Sequence, residues 1–379
     1  MRFVKIEDLR DGMRIARPIY SKKGVLLFER NSKLNAKGID SIRNFGLLGL
    51  FVLDPAEPAP PMTLADIEFE RFQTVQAFAI QDELSFMLLK NKSMKLSTIT
   101  AAIIKNYGNL DKKINFVQSL RTKDDYTFRH SLNVAMLCAL IGHKYNMRID
   151  DINETVTAAI VHDIGKLNAP KELLDKDERD AIDEAAMENY QTAGFELISN
   201  MFQASPNVKR IAAQTQMLLQ NYARGEGKGN MKVVEGAKVM VVAEYFDTLT
   251  AMRFGGQPES ELQVVKKMQD APEIFDPRVV KALVDSINIL NQGVSVILST
   301  GETALILAEN PRNILRPMVL CFKDNSIMDL NDDFLYGDIE VVDVLRTMDN
   351  RHVIDRDTLK QQGVETSGDE FVPVKGDVD

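Results

Sequence analysis

The chain has 379 residues, a formal net charge of −9, 45% hydrophobic residues and 27% charged residues. This composition is ordinary for a soluble globular protein, and the length suits two or three domains. The acidic balance argues against a broad electrostatic surface for nucleic acid or anionic membrane, so a phosphate ligand would need a local cluster of Lys and Arg. We therefore expect neither nucleic acid nor membrane among the partners.

The sequence has the pattern of neither a targeting segment nor a disulfide-bonded protein. The N-terminal stretch lacks the continuous apolar run of a signal peptide, and no stretch approaches the ~20 apolar residues of a membrane helix. The two cysteines, Cys138 and Cys321, each lie in an apolar run and are far apart in the sequence. They are typical of buried free thiols in a reducing compartment, so we expect a cytoplasmic protein without disulfides.

Residues 1–55 have the pattern of a small α/β domain. Two strand-like runs flank a turn at 22–24, and a short helix closed by Gly46 and a buried strand "LGLFVL" follow. The next stretch, "DPAEPAPPM", has four prolines in nine residues, which is typical of a stiff linker. We place this linker at 56–63.

Residues 64–290 have the apolar spacing of helices. The predicted helices lie in "LADIEFERFQTVQAFAIQDELSFMLLK", "HSLNVAMLCALIGHKY", "DINETVTAAIVHDIGKL", "VVEGAKVMVVAEYFDTLTAMRF" and "ELQVVKKMQDA". For the third of these we expect an Asp or Asn N-cap and an end at Gly165. The sequence therefore predicts a mainly α protein whose largest domain is helical.

Beyond residue 290 the apolar period changes to two. The stretch "VSVILSTGETALILAENP" predicts a hairpin, and "RPMVLCF" and "DIEVVDVL" predict further strands. We expect a β-rich C-terminal extension at 291–350. The segment 351–379 is acidic and poor in large apolar residues, so we expect most of it to be disordered.

The adjacent pair His162 and Asp163 is a candidate metal site, because it follows an apolar run. Neighbours on a helix project about 100° apart, so the pair can share an ion only with ligands from other helices. His130 begins one apolar helix, and Glu244 lies in another. Such a set of imidazoles and carboxylates suits iron, manganese or cobalt. The alternative is that His162 and Asp163 form a hydrogen-bonded helix end.

Three stretches together resemble the HD-GYP domain: "DDYTFRHSLNVAMLCALIG", "AAIVHDIGKLNAPKELLDK" and "VVAEYFDTLTAMR". This family is a branch of the HD phosphohydrolases, and its typical activity is hydrolysis of the bacterial messenger cyclic di-GMP. Residues 1–55 look like the domain that often precedes HD-GYP modules. The stretch "STGETALILAENPRNILRPMVL" looks like the strand extension that often follows them. The resemblance thus covers nearly the whole chain.

The resemblance implies a role for several residues. It implies that the metal ligands are His130, His162, Asp163 and, in place of the family's last metal-binding aspartate, Glu244. Asp163 and Lys166 are the expected catalytic residues, and Lys166 and Arg253 are the expected contacts to substrate phosphate. Asp247 matches a second family aspartate, for which we expect a structural hydrogen bond.

The chain departs from the family at its other metal ligands. The family's His-Pro-x-x-Gly motif falls at "ENYQTAGFELI", where Tyr190 replaces the histidine and Gly194 is kept. The paired histidines fall at "IAAQTQMLL", where Gln214 and Thr215 replace them, and the Gly-Tyr-Pro loop is replaced by "NYARGEGKGN". Tyr, Gln and Thr are poor ligands for divalent transition metals. We therefore expect at most one ion, iron or manganese.

Two functions remain open from the sequence. One is a regulatory or scaffolding protein of cyclic di-GMP type signalling, with weak or no phosphodiesterase activity. The other is an active phosphodiesterase that hydrolyses cyclic di-GMP or another phosphate ester at a single-metal site. We expect cyclic di-GMP or a related nucleotide and signalling proteins as partners, and a homodimer as the assembly. Metal content would discriminate between the two functions.

Overall fold

The computed structural model describes residues 2–21, 23–44, 49–53, 62–118, 121, 125–174, 176, 180–201, 205–251, 258–310 and 312–345. The chain is mainly α, which confirms the predicted fold class. The described residues group into two compact units, one within 1–71, 259–263 and 288–379 and the other within 72–258 and 264–287. The domain boundaries expected from the sequence stay predictions.

The first part of the chain has the predicted α/β character. Its elements are β1 (Arg2–Lys5), β2 (Arg14–Ile15), β3 (Ile19–Tyr20), β4 (Leu26–Phe28), α1 (Ala36–Asn44) and β5 (Gly49–Leu53). Strands β1, β5 and β2 form an antiparallel sheet in that order, and β3 pairs with β4 as the predicted hairpin. The hairpin turns at Gly24, whose φ of 72° is a conformation that glycine adopts without steric cost. Gly46 and most of the predicted linker lie outside the described residues.

The next helices, α2 (Leu64–Lys90) and α3 (Leu96–Tyr107), are each capped at the N-terminal end. The cap of α2 is local, and that of α3 comes from a distant residue. At the start of α2, the Thr63 amide donates to Asp66 at 2.8 Å and the Asp66 amide donates to the Thr63 hydroxyl at 3.1 Å. This reciprocal pair satisfies amides that have no partner within the helix. At the start of α3, the buried Glu83 carboxylate of α2 accepts from the amides of residues 94–96 at 2.7–3.2 Å. A carboxylate there also complements the helix dipole.

Helix α4 (Tyr126–Lys144) is the centre of the helical unit. The helices that follow it in the sequence are α5 (Ile149–Val161), α6 (Lys171–Leu174), α7 (Ala181–Met201), α8 (Pro206–Ala223), α9 (Glu235–Thr250), α10 (Glu261–Gln269) and α11 (Pro277–Val284). Every residue of α4 from 128 to 142 is buried. Helices α3, α5, α9 and α11 pack against it. The helix therefore has neighbours on all its faces, and side chains near its N-terminal end lie inside the unit.

Helix α5 differs from the prediction at both ends. Its N-cap is Arg148, not an Asp or Asn, and the cap makes no side-chain hydrogen bond. The acidic Asp150 and Asp151 lie in the first turn instead, where they complement the helix dipole. The helix also ends at Val161, before the predicted Gly165, which lies in a 3₁₀ turn. The chain thus leaves the α-helical path where the His-Asp pair occurs.

The last part of the described chain is the predicted β extension. It comprises β6 (Ser295–Leu298), β7 (Thr303–Ala308), β8 (Met318–Cys321), β9 (Ile327–Asp329), α12 (Asp333–Tyr336) and β10 (Val341–Val344). The strands form one antiparallel sheet in the order β10-β6-β7-β8-β9. The hairpin β6–β7 confirms the prediction and turns at Gly301, whose φ is 80°. Residues 351–379 lie outside the described residues, so their disorder stays a prediction.

Among the described residues, no helix is both long and apolar enough to span a membrane.

Candidate metal centre

Four side chains that the sequence singled out meet inside the helical unit. They come from α4, the end of α5 and α9: His130, His162, Asp163 and Glu244, each at most 8% exposed. Ligand atoms of the two histidines and Asp163 lie within 4.8 Å of one another. His162 Nε2 is 3.2 Å from Glu244 Oε2 and 3.4 Å from Asp163 Oδ1. The structure therefore brings three of the expected ligands together and places the fourth, Glu244, beside both histidines.

The two imidazole rings are held so that Nε2 faces this point. His162 Nδ1 lies 2.8 Å from the carbonyl oxygen of Ala159, and His130 Nδ1 lies 2.6 Å from Asp247 Oδ2. Because both partners are acceptors, each Nδ1 carries the proton and donates it. Histidine ligands of metals are oriented by partners of this kind. Asp247 thus has the structural hydrogen bond expected for it.

A buried polar network holds Asp247 in turn. Arg121 donates to Asp247 Oδ2, and Asn133 Nδ2 donates to Asp247 Oδ1 at 3.0 Å. Asn133 itself accepts from Gln73 Nε2 of α2 at 3.1 Å. Burial alone would raise the pKa of Asp247, but Arg121 and His130 lower it below its usual value. Asp247 is therefore ionised, and it fixes the ring of His130.

Asp163 is surrounded by hydrogen-bond donors. Gln191 Nε2 of α7 donates to Asp163 Oδ1 at 2.8 Å, and Lys166 Nζ lies 2.8 Å from both Asp163 oxygens. Burial alone would raise the pKa of Asp163, but the neighbouring His162 and Lys166 side chains lower it. Gln191 carries no motif that predicts this contact. The only available signal was its place directly after Tyr190, in the motif that lost its histidine.

A glycine pair brings α7 close enough for this contact. A Cβ atom added to Gly165 would lie 2.1 Å from the Tyr190 carbonyl oxygen, and one added to Gly194 would lie 2.7 Å from the Gly165 amide nitrogen. Real side chains do not tolerate such distances to backbone atoms, so both positions need glycine. The close approach of the two backbones places Gln191 beside Asp163, and it explains why Gly194 is present although Tyr190 replaced the histidine.

Two atoms of the site indicate that a cation belongs there. His162 Nε2 and Glu244 Oε2 are buried and have no hydrogen-bond partner among the described residues. Because His162 donates through Nδ1, its neutral ring offers Nε2 as an acceptor, and this atom faces a carboxylate oxygen at 3.2 Å. Two buried acceptors at this distance require either a second proton or a metal ion between them. The nitrogen and carboxylate donors fit a divalent transition metal.

The pair formed by His130 and Glu244 supports the same conclusion. His130 Nε2 lies 2.9 Å from the Glu244 carboxylate. Burial alone would lower the pKa of His130, but Glu244 and Asp247 raise it well above its usual value. Burial alone would likewise raise the pKa of Glu244, but His130 and His162 lower it well below its usual value. Without a metal ion, a proton on His130 therefore neutralises part of this carboxylate charge.

Among the residues at the positions of the lost histidines, Gln214 has hydrogen-bond partners outside the cluster. Gln214 donates to the carbonyl of Lys232 at 3.0 Å and accepts from the amide of Val234 at 2.9 Å, so it holds the segment that leads into α9. Thr215 is buried, and Tyr190 is half-buried. Arg253, the expected substrate contact, lies outside the described residues.

Comparison with known proteins agrees with this site. The sequence profile described as "HD domain" matches residues 92–279, which include all four clustered residues. The chain is 22% identical to a cyclic di-GMP phosphodiesterase of Pseudomonas aeruginosa, over 67% of this chain and 57% of that protein. It is 22% identical to the cyclic di-GMP phosphodiesterase PdeB of Borreliella burgdorferi, over 58% of each chain. It is 23% identical to the 3'3'-cGAMP-specific phosphodiesterase 2 of Vibrio cholerae, over 45% of this chain and 33% of that protein.

These matches identify the class of protein. The chain carries an HD domain, with the His-Asp pair of that domain at 162 and 163. The cyclic di-GMP phosphodiesterases among its relatives support the resemblance to the HD-GYP family. The matched segments span between 33% and 58% of the length of these relatives.

Proposed function

We propose that the chain is a cyclic dinucleotide signalling protein whose HD site holds one divalent ion and has weak or no phosphodiesterase activity. The signalling role is supported by the names of its relatives, which are phosphodiesterases of cyclic di-GMP or 3'3'-cGAMP. One observation carries the rest of the proposal. His130, His162 and Asp163 form a cluster with Glu244 beside both histidines, while Tyr190, Gln214 and Thr215 stand where the resemblance implies further ligands.

The residues that would hold the ion are the four that cluster: His130, His162, Asp163 and Glu244. Iron and manganese suit this mixture of imidazole nitrogen and carboxylate oxygen. When bound, the ion would supply Lewis-acid charge beside a phosphoryl group. Ala159 and Asp247 orient the two imidazoles toward it, as described above.

Lys166 is suited to hold a phosphate by its charge. Burial alone would lower the pKa of Lys166, but Asp163 and Glu244 raise it above its usual value. The side chain therefore stays protonated at neutral pH, which supports a phosphate contact more than the donation of a proton. Asp163 has a lowered pKa and is surrounded by donors, so it is suited to bind the ion and not to transfer protons.

Weak turnover is expected because one metal ion supplies less positive charge to the reacting phosphate than two ions do. Stabilisation of charge on the attacking and leaving oxygens is usually the largest catalytic contribution, and loss of one contact costs about 10²–10³ in rate. The absence of a second ion should cost at least that much. Lys166 and Arg253 would still attract a phosphate, so nucleotide binding can persist without catalysis. Such binding should be weak and sensitive to salt.

The second candidate function is an active phosphodiesterase with a single ion, acting on cyclic di-GMP or another phosphate ester. A specific observation favours it. The cluster of His130, His162 and Asp163 could hold one ion, and Lys166 Nζ lies 2.8 Å from Asp163, which supports a one-ion reaction. We also expect signalling proteins as partners and a homodimer, which light scattering of the purified chain would test.

A turnover assay separates the two functions. Protein loaded with manganese or iron is incubated with cyclic di-GMP, and the linear dinucleotide and GMP are measured by chromatography beside a His162→Ala variant. We expect no product, or far less than an HD-GYP protein with all its ligands forms. Robust product that disappears in His162→Ala would refute the proposal and establish the active enzyme. Elemental analysis after anaerobic purification should give at most one metal ion per chain, and two would refute the single-ion site.

A further inference from the structure

Gln191 is a buried polar residue to which neither the family resemblance nor the relatives assign a role. It lies on α7 and is 6% exposed. Its amide nitrogen lies 2.8 Å from Asp163 Oδ1 and 3.4 Å from the carbonyl oxygen of His162. Both partners are acceptors, so the nitrogen of the amide, and not its oxygen, faces the metal centre.

The contacts of Asp163 leave little room for a second ion. A carboxylate accepts in about four lone-pair directions. Gln191 takes one of them, and the Lys166 ammonium, which is 2.8 Å from both oxygens, takes two. The remaining direction is on Oδ2, which lies 4.0 Å from His130 Nε2 and can therefore contribute to one ion beside that ring. A carboxylate that bridges two ions would instead have to offer an oxygen to each.

We propose that Gln191 is a positioning residue that takes, by a hydrogen bond, the place of a second cation on Asp163. The inference rests on the one-ion site proposed above. A primary amide supplies partial positive charge to the carboxylate without binding a metal of its own. The close backbone contact between Gly165 and Gly194 keeps the amide at this distance. Gln191 thus fixes Asp163 as a ligand of a single ion.

The consequence is a measurable loss of metal affinity when the donor is removed. Gln191→Met keeps the length of the side chain and removes the N–H groups, and Gln191→Asn keeps the amide but withdraws it by one methylene. Loss of a partner that orients a ligand typically weakens metal binding by about 10–100-fold. We expect this loss in both variants. We also expect an altered visible spectrum of the Co²⁺ complex, because Asp163 is free to reorient.

The test is a titration of the full chain with Mn²⁺ and with Co²⁺, read by calorimetry or by competition with a chelator. Thr192→Ala, at the exposed neighbouring position of α7, is the matched control and should bind as the wild type does. Circular dichroism of the metal-free proteins shows which variants are folded. The Asn variant keeps the test decisive where the Met variant does not fold.

The outcomes separate this inference from the proposed function. A folded Gln191 variant with wild-type affinity and an unchanged Co²⁺ spectrum overturns the role of Gln191 alone. An equal loss in Thr192→Ala also overturns it, because the effect would then belong to the helix and not to the amide. If the wild type binds two ions, Gln191 does not take the place of a second cation, and the inference is refuted. A wild type that binds no ion refutes the proposed metal site, and this inference falls with it.

Discussion

Replacement of Gly194 by alanine should disturb both the stability of the protein and its metal site. The new Cβ would lie 2.7 Å from the Gly165 nitrogen, whereas ordinary contacts begin at 3.4 Å, so the two backbones must separate. A separation of about 0.7 Å restores normal contact, and overpacking of this kind typically costs about 1–3 kcal/mol. For a unit of this size that corresponds to a fall in Tm of about 2–12 °C.

The same displacement reaches the metal centre through Gln191. Its hydrogen bond to Asp163 is 2.8 Å long, and a shift of α7 by that amount would lengthen it to about 3.5 Å, beyond normal hydrogen-bond range. We therefore expect Gly194→Ala to weaken metal binding as well as to lower the Tm of the metal-free protein. Thermal denaturation followed by circular dichroism and chelator competition measure the two effects, with Thr192→Ala as the control. Wild-type values for both quantities would refute this account of the glycine contact.

Three further predictions concern ligands, caps and protons. Tyr190→Phe should keep the bound ion and His162→Ala should lose it in elemental analysis, and loss in Tyr190→Phe would make the hydroxyl a ligand. Glu83→Ala should lower the free energy of unfolding by about 1–3 kcal/mol, because the amides at the start of α3 lose their acceptor. Urea titrations measure this, and an unchanged urea concentration at the unfolding midpoint would contradict it. Metal affinity should rise with pH, since the ion must displace the proton between His130 and Glu244, and the raised pKa of His130 keeps that proton bound beyond the usual range. Calorimetry at several pH values measures this, and an affinity independent of pH would exclude such a proton.

The sequence predicted about half of the described helices and most of the described strands, because their signals are local. Apolar positions at helical spacing marked α2 from its first residue, Leu64, and the change to a period of two marked the hairpin β6–β7. The His-Asp pair and its partners were predictable for a different reason, since their residue types and spacing match a known family. That match supported Glu244, which its position in another apolar helix had already made a candidate ligand.

The remaining contacts were not predictable because they depend on how distant segments pack. Gln191 and Asp163 are 28 residues apart, and Arg121 and Asp247 are 126 residues apart. The sequence around a helical glutamine does not predict which residue its side chain will hydrogen-bond. The ends of α5 were predicted wrongly because an Asp or Asn N-cap is only one way to begin a helix. Here acidic residues of the first turn take its electrostatic role.

The burial of α4 gives a structural reason for the presence of His130, apart from any role in catalysis. His130 lies on a helix enclosed on all sides, and its ring neutralises charge on Glu244 and on Asp247. Without that ring, Glu244 would lose the donor that His130 provides, and Asp247 would keep only Arg121 and Asn133, at a cost of several kcal/mol. Selection for a folded chain is therefore enough to retain His130, whether or not any phosphate is cleaved. In this chain the presence of His130 therefore reports an intact buried network and is not by itself a sign that phosphate is cleaved.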